Sequence, residues 1–287
     1  MPVQAGTIVV QLLNGISIGL SFALIAAGLT LIFGVMDIVN FAHGEFYMIG
    51  AYATLVVLPY VGIFWVGVAI AALISAAIAI IIERVTLKPL RGRDPLQSLI
   101  VTFGFVLILQ QAALEIFGGS PKDMPTPITG TVKFFGITYP WIRIATIVGG
   151  LIIIAALFLF LRRTRLGIMM RASAEDLDTA RALGVPSDRI FSLSMGISAL
   201  LAALAAPFLG VIRGVNPTMG SGVIVTAFIV VIVGGLGSVQ GAVVAALLIG
   251  LIESMTVLFI PPWASQILAL GVLILVLLVK PEGLFGG

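Results

Sequence analysis

The sequence predicts an all-α membrane protein, a polytopic bundle of about eight to ten transmembrane helices, and three observations carry that prediction. Of 287 residues, 60% are hydrophobic and only 9% are charged, where an ordinary soluble domain carries roughly 25%. The mean hydropathy is +1.25. The apolar residues also fall in continuous runs of the length a helix needs to cross hydrocarbon, about 17–25 residues. A membrane β-barrel would instead show segments of roughly ten residues alternating in polarity.

In chain order the runs are 8–33, 61–82, 96–117, 141–161, 191–212, 238–260 and 263–279. Shorter apolar pieces at 46–58 and 222–236 either span or stop midway. Gly and Ala are frequent, as close packing of membrane helices requires, and the chain reads as one bundle over 1–287. The start MPVQAGTIVV has no Lys or Arg and no small-residue cleavage site after a short apolar core, so the first span is expected to stay. Cysteine is absent, which excludes disulfides and thiolate metal sites.

Charge between the runs sets the orientation. Residues 83–94 carry Arg84, Lys88, Arg91 and Arg93, and residues 162–189 carry Arg162, Arg163, Arg165, Arg171, Arg181 and Arg189. Both loops are expected to face the cytoplasm by the positive-inside bias. The turn-rich loop 118–140, with Lys122 and Lys133, then faces outward, and Lys280 returns the C-terminus to the cytoplasmic side. The side of the N-terminus depends on whether residues 34–45 form a surface loop or a break inside the membrane.

Loop 162–189 is polar and long enough for structure of its own. Ser173 and Asp176 have capping-box spacing, which predicts a short helix through LDTARAL ending at Gly184, with Pro186 beyond. Leu177, Ala180 and Leu183 fall on one face. Glu175 and Asp176 lie at its start, where the helix dipole favours acids.

The stretch GVMDIVNFAHGEFYMIG, residues 34–50, concentrates Asp37, Asn40, His43 and Glu45 between apolar runs, and His43 is the chain's one histidine. Asp, Asn and Gly are poor helix-interior residues, so the helix is expected to break here and resume near Glu45 or Phe46. A break facing a cavity presents free N–H groups and a positive helix start, suited to the charged groups of a zwitterion. The inventory argues against catalysis. One His without Cys assembles no common metal site, and no Gly-x-Ser-x-Gly elbow is present. A proton relay of buried carboxylates and His is the remaining chemical reading.

Later in the chain, GGLGSVQG (Gly234 to Gly241) lacks the Lys-Ser/Thr ending of a nucleotide loop. The stretch, Gly234 and Gly235 included, is expected to make a tight turn, with Gly237 and Gly241, four apart, a surface for close helix approach; direct lining of the path is the other reading. Glu253 lies near one end of its span, where snorkelling is expected, Glu115 is interfacial, and Gln110 or Gln111 is expected to bond another helix. The segment VIRGVNPTMGSG, with Arg213, Asn216 and Pro217, interrupts the apolar pattern as residues 34–45 do. Paired interruptions are a mark of internal-repeat transporters, although no residue-level repeat is read between the two stretches.

Three stretches together resemble one family. RASAEDLDTARALGVPSDRI resembles the coupling loop of bacterial ABC importer permeases. GLTLIFGVMDIVNFAHGEFYMIGAY at 28–52 and IVVIVGGLGSVQGAVVAALLIGLIES at 229–254 resemble the branched-chain amino acid permeases, in their smaller, H-type form. That resemblance implies an ABC importer permease fold and alternating-access transport of leucine, isoleucine and valine. Glu175, Asp176, Ala180, Leu183 and Gly184 would couple to an ATPase, and Asp37, Asn40, His43 and Glu45 would line or gate the path. It further implies a second permease subunit, either a larger homologous chain or a self-copy, two cytoplasmic ATP-binding subunits that use ATP and Mg, and an extracytoplasmic substrate-binding protein. This chain would bind no cofactor and no nucleic acid, in a bacterial or archaeal inner membrane. The alternative is a secondary transporter or channel working alone.

Overall fold

The computed structural model describes residues 5–134 and 137–286. Within them, α1 (Ala5–Met36), α2 (His43–Val61) and α3 (Phe64–Ile82) are followed by a π turn (Glu83–Leu87), a 3-10 turn (Lys88–Leu90) and α4 (Pro95–Phe117). A hairpin of β1 (Thr131–Phe134) and β2 (Ile137–Pro140) leads into α5 (Trp141–Arg163), α6 (Arg165–Glu175) and α7 (Leu177–Ala182). The chain closes with α8 (Ser187–Arg213), α9 (Met219–Gly234), α10 (Val239–Thr256) and α11 (Pro262–Val279). Seven helices are long and apolar enough to cross a membrane, and the shorter apolar helices Met219–Gly234 and Ile267–Val279 complete the set. The chain is thus a multi-pass helical membrane protein with a span count in the expected range.

The hairpin departs from the all-α expectation. It is antiparallel, with Thr131 opposite Pro140 and Phe134 opposite Ile137, and the β-branched residues Thr131, Val132, Ile137 and Thr138 favour extended backbone. It is tied to α1 where Arg143 and the buried Tyr139 both donate to Asn14 Oδ1, at 2.8 and 3.2 Å.

The centre of the bundle is α1, whose apolar window is 83% buried, whereas α4 and α5 are only 17% and 28% buried and turn most of their surface outward. Small residues let α1 and α10 approach closely. A Cβ added to Gly15 would lie 2.8 Å from Leu251 Cα, and one added to Gly19 would lie 2.9 Å from Leu247 Cα. Loop 83–94, helices α6 and α7, the turn after α9 and the C-terminal tail share one end of the bundle, here the basic end. The hairpin lies at the far end.

The long helices α1 and α8 each run into a short non-helical segment, residues 37–42 and 214–218, and then into a second helix, α2 or α9. The packing repeats as well, with α1 against α10 and α8 against α3. Written one above the other, GVMDIVNFAHGE (34–45) and GVIRGVNPTMGS (210–221) align without a gap. Gly34, Val35, Val39, Asn40 and Gly44 match Gly210, Val211, Val215, Asn216 and Gly220. The paired interruptions expected from the sequence are therefore the two copies of an internal repeat.

Candidate functional site

The first interruption is a break inside the bundle rather than a surface loop. Asp37, the one non-glycine residue with positive φ among those described, turns the chain at φ 52°. Residues 38–41 then run back alongside α1. By His43 the chain has returned to the level of Ile25, whose carbonyl lies 2.9 Å from His43 Nε2. At 1.5 Å per residue that is roughly 16 Å short of the end of α1 at Met36. Helix α2 begins at His43, two residues earlier than expected, with no side-chain cap of its own. Asn40 shapes the turn before it by accepting the Ala42 N–H at 3.0 Å. Asn216 does the same in the second copy, accepting the Thr218 N–H at 3.1 Å.

The two helix starts meet. Gly44 and Gly220 pack backbone to backbone, with no room for a side chain on either. Beside them the buried Glu45 lays its carboxylate over Gly220, where an added Cβ would lie 2.7 Å from both oxygens. Two positive helix ends converge on one carboxylate, an arrangement that stabilises its charge in a medium where an isolated charge is costly. Gln110 of α4 completes the cluster, donating to Glu45 Oε1 at 2.9 Å and to Ser221 Oγ. Glu45 and Ser221 occupy equivalent positions in the repeat. Glu45 Oε2 and His43 Nδ1 are buried without a partner among the described residues.

The four residues expected together at the break do not form one cluster. Glu45 sits at the meeting of the helix starts. His43 is fully buried against α1, where an added Cβ on Gly28 would lie 3.0 Å from its Cε1. Asn40 is buried beside Met195, its Nδ2 3.5 Å from the sulfur. Asp37 is exposed at the basic end and borders a cavity of about 480 Å³ with Arg91, Arg93, Leu177 and Arg181. A proton relay through all four is not built. Gln110 and Ser221 are the members whose role at this site the sequence left hidden. Of Gln110 and Gln111, one of which is expected to bond another helix, it is Gln110 that does, while Gln111 bonds Glu115 within α4.

At the basic end, loop 162–189 holds two helices where one was expected. The capping box is not formed, because Ser173 is buried within α6 and Asp176 alone caps α7, accepting the Asp178 and Thr179 N–H groups, both at 3.0 Å. The Thr179 hydroxyl also donates to Asp176, and these bonds hold its carboxyl below the usual carboxylate range. Glu175 ends α6 rather than opening α7. Helix α7 stops at Ala182, and Gly184 takes the left-handed turn at φ 85°. The expected apolar face divides, with Ala180 turned inward at 3% exposure and Leu183 outward at 81%. Loop 83–94 is clamped to the first turns of α8, just after α7. Buried Glu83 binds Arg91 and accepts the Ser192 hydroxyl at 2.6 Å, while Arg91 stacks on Phe191 and Lys88 pairs with Asp188 at 2.8 Å.

The glycine-rich turn needs one correction. Gly235 and Gly237 lie in the turn itself, at φ 104° and 83°, so Gly237 shares no helix with Gly241. The close backbone pair is Gly234 with Gly241. Gly237 instead meets the end of α1, its Cα 3.4 Å from a Cβ added to Gly34, which itself neighbours Ala174 of α6. The tail then caps α9, as Leu284 and Phe285 donate to the carbonyls of Val233 and Gly234 at 2.8 and 3.0 Å. Glu253, near the end of α10 and partly exposed, pairs with Arg213 there.

The family described as "Branched-chain amino acid transport system / permease component" matches residues 11–277. The chain is 37% identical to the high-affinity branched-chain amino acid transport system permease protein BraD of Pseudomonas aeruginosa, over 96% of this chain and 95% of that protein. It is 34% identical to the corresponding protein LivH of Escherichia coli, over 96% and 94%, and 30% identical to LivM of the same organism, over 92% of this chain and 67% of that one. No solved structure matches the chain. The chain belongs to the branched-chain amino acid transport system permease family, whose members are components of transport systems. The reading as a secondary transporter or channel working alone is set aside.

Proposed function

We propose that this family member is the permease subunit of an ATP-driven importer that carries leucine, isoleucine and valine across the cytoplasmic membrane by alternating access. The observation that carries the reading is the family match over nearly the whole chain. The basic end, with loops 83–94 and 162–189 and the C-terminal tail, faces the cytoplasm under the positive-inside bias. On that count α1 starts on the outer side.

A second permease subunit pairs with this chain, supported by relatives of both the LivH and LivM kinds. Two cytoplasmic subunits supply ATP hydrolysis with Mg, and an extracytoplasmic protein delivers the substrate; this chain itself performs transport, not chemistry. Helix α7, with Asp176 as its cap, Leu183 exposed and Gly184 leaving the far side of the turn open, is the docking element for an ATPase groove. Its motion reaches the core by two contacts, α6 against Gly34 at the end of α1, and the Glu83–Arg91–Asp188 clamp. Packed elements of this kind pass on rigid-body shifts rather than absorbing them.

Reconstituted ATP-dependent uptake with a panel of amino acids tests the substrate, and uptake confined to other solutes rejects it. Docking is tested by Gly184→Trp. If the ATPase still co-purifies with that variant as it does with wild type, α7 is not the docking element.

A further inference from the structure

A cavity of about 710 Å³ opens beside α4 at the far end, lined by Leu107, Gln110, Gln111, Leu114, Pro121 and the second interruption, Asn216–Thr218. Gln110 stands between this space and Glu45, since its one amide nitrogen bonds both Glu45 and Ser221. Helix α4 is otherwise lightly attached. Thr102 accepts the Phe41 N–H at 3.3 Å, and Phe117 stacks on Tyr52 at 4.2 Å, with few other contacts to the bundle.

We propose that Glu45 is the binding residue for the α-ammonium group of the transported amino acid, reached from this cavity when Gln110 swings aside. The inference rests on the importer reading above and adds to it a site. Glu45 is 0% exposed, and its Oε2 lacks a partner among the described residues. A buried carboxylate oxygen with a free valence is costly unless something completes it. The converging starts of α2 and α9 favour the charged form of the carboxylate, and a cation is the complement of that form. A primary ammonium supplies both charge and donors.

The substrate's carboxylate has its own place next to that position. The Ser221 hydroxyl accepts from Gln110 and keeps its own proton to donate. The first turn of α9 offers N–H groups, and Gly222 there faces open space. Leu107, Leu114, Pro121 and Pro217 give a branched aliphatic side chain apolar walls. The ligand class is therefore a small α-amino acid with an apolar side chain.

The chain has no cysteine, so Thr218→Cys gives this subunit a single label at the cavity wall. The assembled complex carrying it is treated with a maleimide in the presence of leucine, of leucinol, which keeps the ammonium but not the carboxylate, or of isocaproate, which keeps only the carboxylate. Leucine and leucinol are expected to slow labelling of this subunit at least about threefold and isocaproate clearly less than either. Adding Glu45→Gln removes the protection by leucine. Protection by isocaproate equal to that by leucine, or protection that survives Glu45→Gln, overturns the proposal. Should the double variant fail to assemble, leucinol against isocaproate on the Thr218→Cys complex decides it. ATP-driven leucine uptake is followed in the same preparation. Uptake without protection overturns the Glu45 site and leaves the importer reading standing, whereas no uptake of any branched-chain amino acid overturns that reading and the site with it.

Discussion

The two interruptions, residues 37–42 and 214–218, have nearly the same chemistry and opposite settings. Each places an Asn three residues before a helix start, where its side chain accepts the N–H two residues on, and each follows it with a glycine that meets its counterpart at the centre. Beyond Asp37, which is exposed at the basic end, the first is sealed. Asn40, Ala42, His43 and Glu45 are all buried, and Phe41 is packed on Phe228 at 4.9 Å. The second is open, for Thr218 is exposed and Asn216 borders the far-end cavity. A permease that alternates between sides needs one access closed while the other is open. Here the repeated motif, inverted between its two copies, is buried in one and borders a cavity in the other.

Substitutions at equivalent positions break or sharpen that comparison. The largest effect belongs to the shared point, because Gly44→Leu or Gly220→Leu forces a side chain into backbone contact. Each is expected to exceed the ~1–3 kcal/mol of ordinary overpacking and to abolish recovery of folded complex by size-exclusion chromatography. A well-folded Gly220→Leu complex would show that the two helix starts do not meet.

Asn40→Leu and Asn216→Leu come next and should differ. In the sealed copy the change strands the buried Ala42 N–H, at a cost of about 1–3 kcal/mol, and lowers uptake while the ATPase still co-purifies. In the open copy water replaces the amide, and thermal stability should change by less than about 0.5 kcal/mol. Equal losses would mean that the second interruption is also closed.

A smaller contrast separates His43 from its counterpart Met219. His43→Leu removes the contact to the Ile25 carbonyl, worth about 1 kcal/mol, and should lower both melting temperature and uptake. Met219→Leu conserves volume and should leave uptake at the wild-type level.

The smallest effect depends on pH. Asn40 and Asn216 are neutral and their turns should not respond to acid, but Asp176 makes the same kind of turn with a carboxylate. Its folded-state pKa is lowered, chiefly by the Thr179 hydroxyl and N–H. The stabilisation is therefore complete above the ordinary carboxylate pKa and fades as pH falls through the lower folded value. Hydrogen exchange at Asp178 and Thr179, corrected for intrinsic rate, should be unchanged from pH 7 to 5 and accelerate only in stronger acid. Acceleration already at pH 6 would reject the cap.

Several elements were legible without the fold. The long apolar runs set the helices to within a few residues, the poor helix formers Asp37, Asn40 and Gly44 marked the first break, and Gly184 marked the stop after α7. Each of these depends on residues adjacent in the chain. The capping box at Ser173 failed because tertiary packing drew Ser173 into α6, and Gly237 was assigned to a helix because a turn and a helix start look alike in a glycine-rich stretch.

By itself, then, the sequence determined that this chain crosses the membrane many times, where it breaks, and which family it resembles, because hydrophobic length, backbone propensity and local motif are properties of contiguous residues. It also held the repeat GV-x3-VN-x3-G, written twice and too short to stand out. Only the tertiary structure decided that the first break re-enters the bundle, that Gly44 meets Gly220, and that Gln110 joins Glu45 to Ser221 across three helices. Those contacts join residues 65 to 176 positions apart, and no local preference encodes which distant groups will share a buried charge.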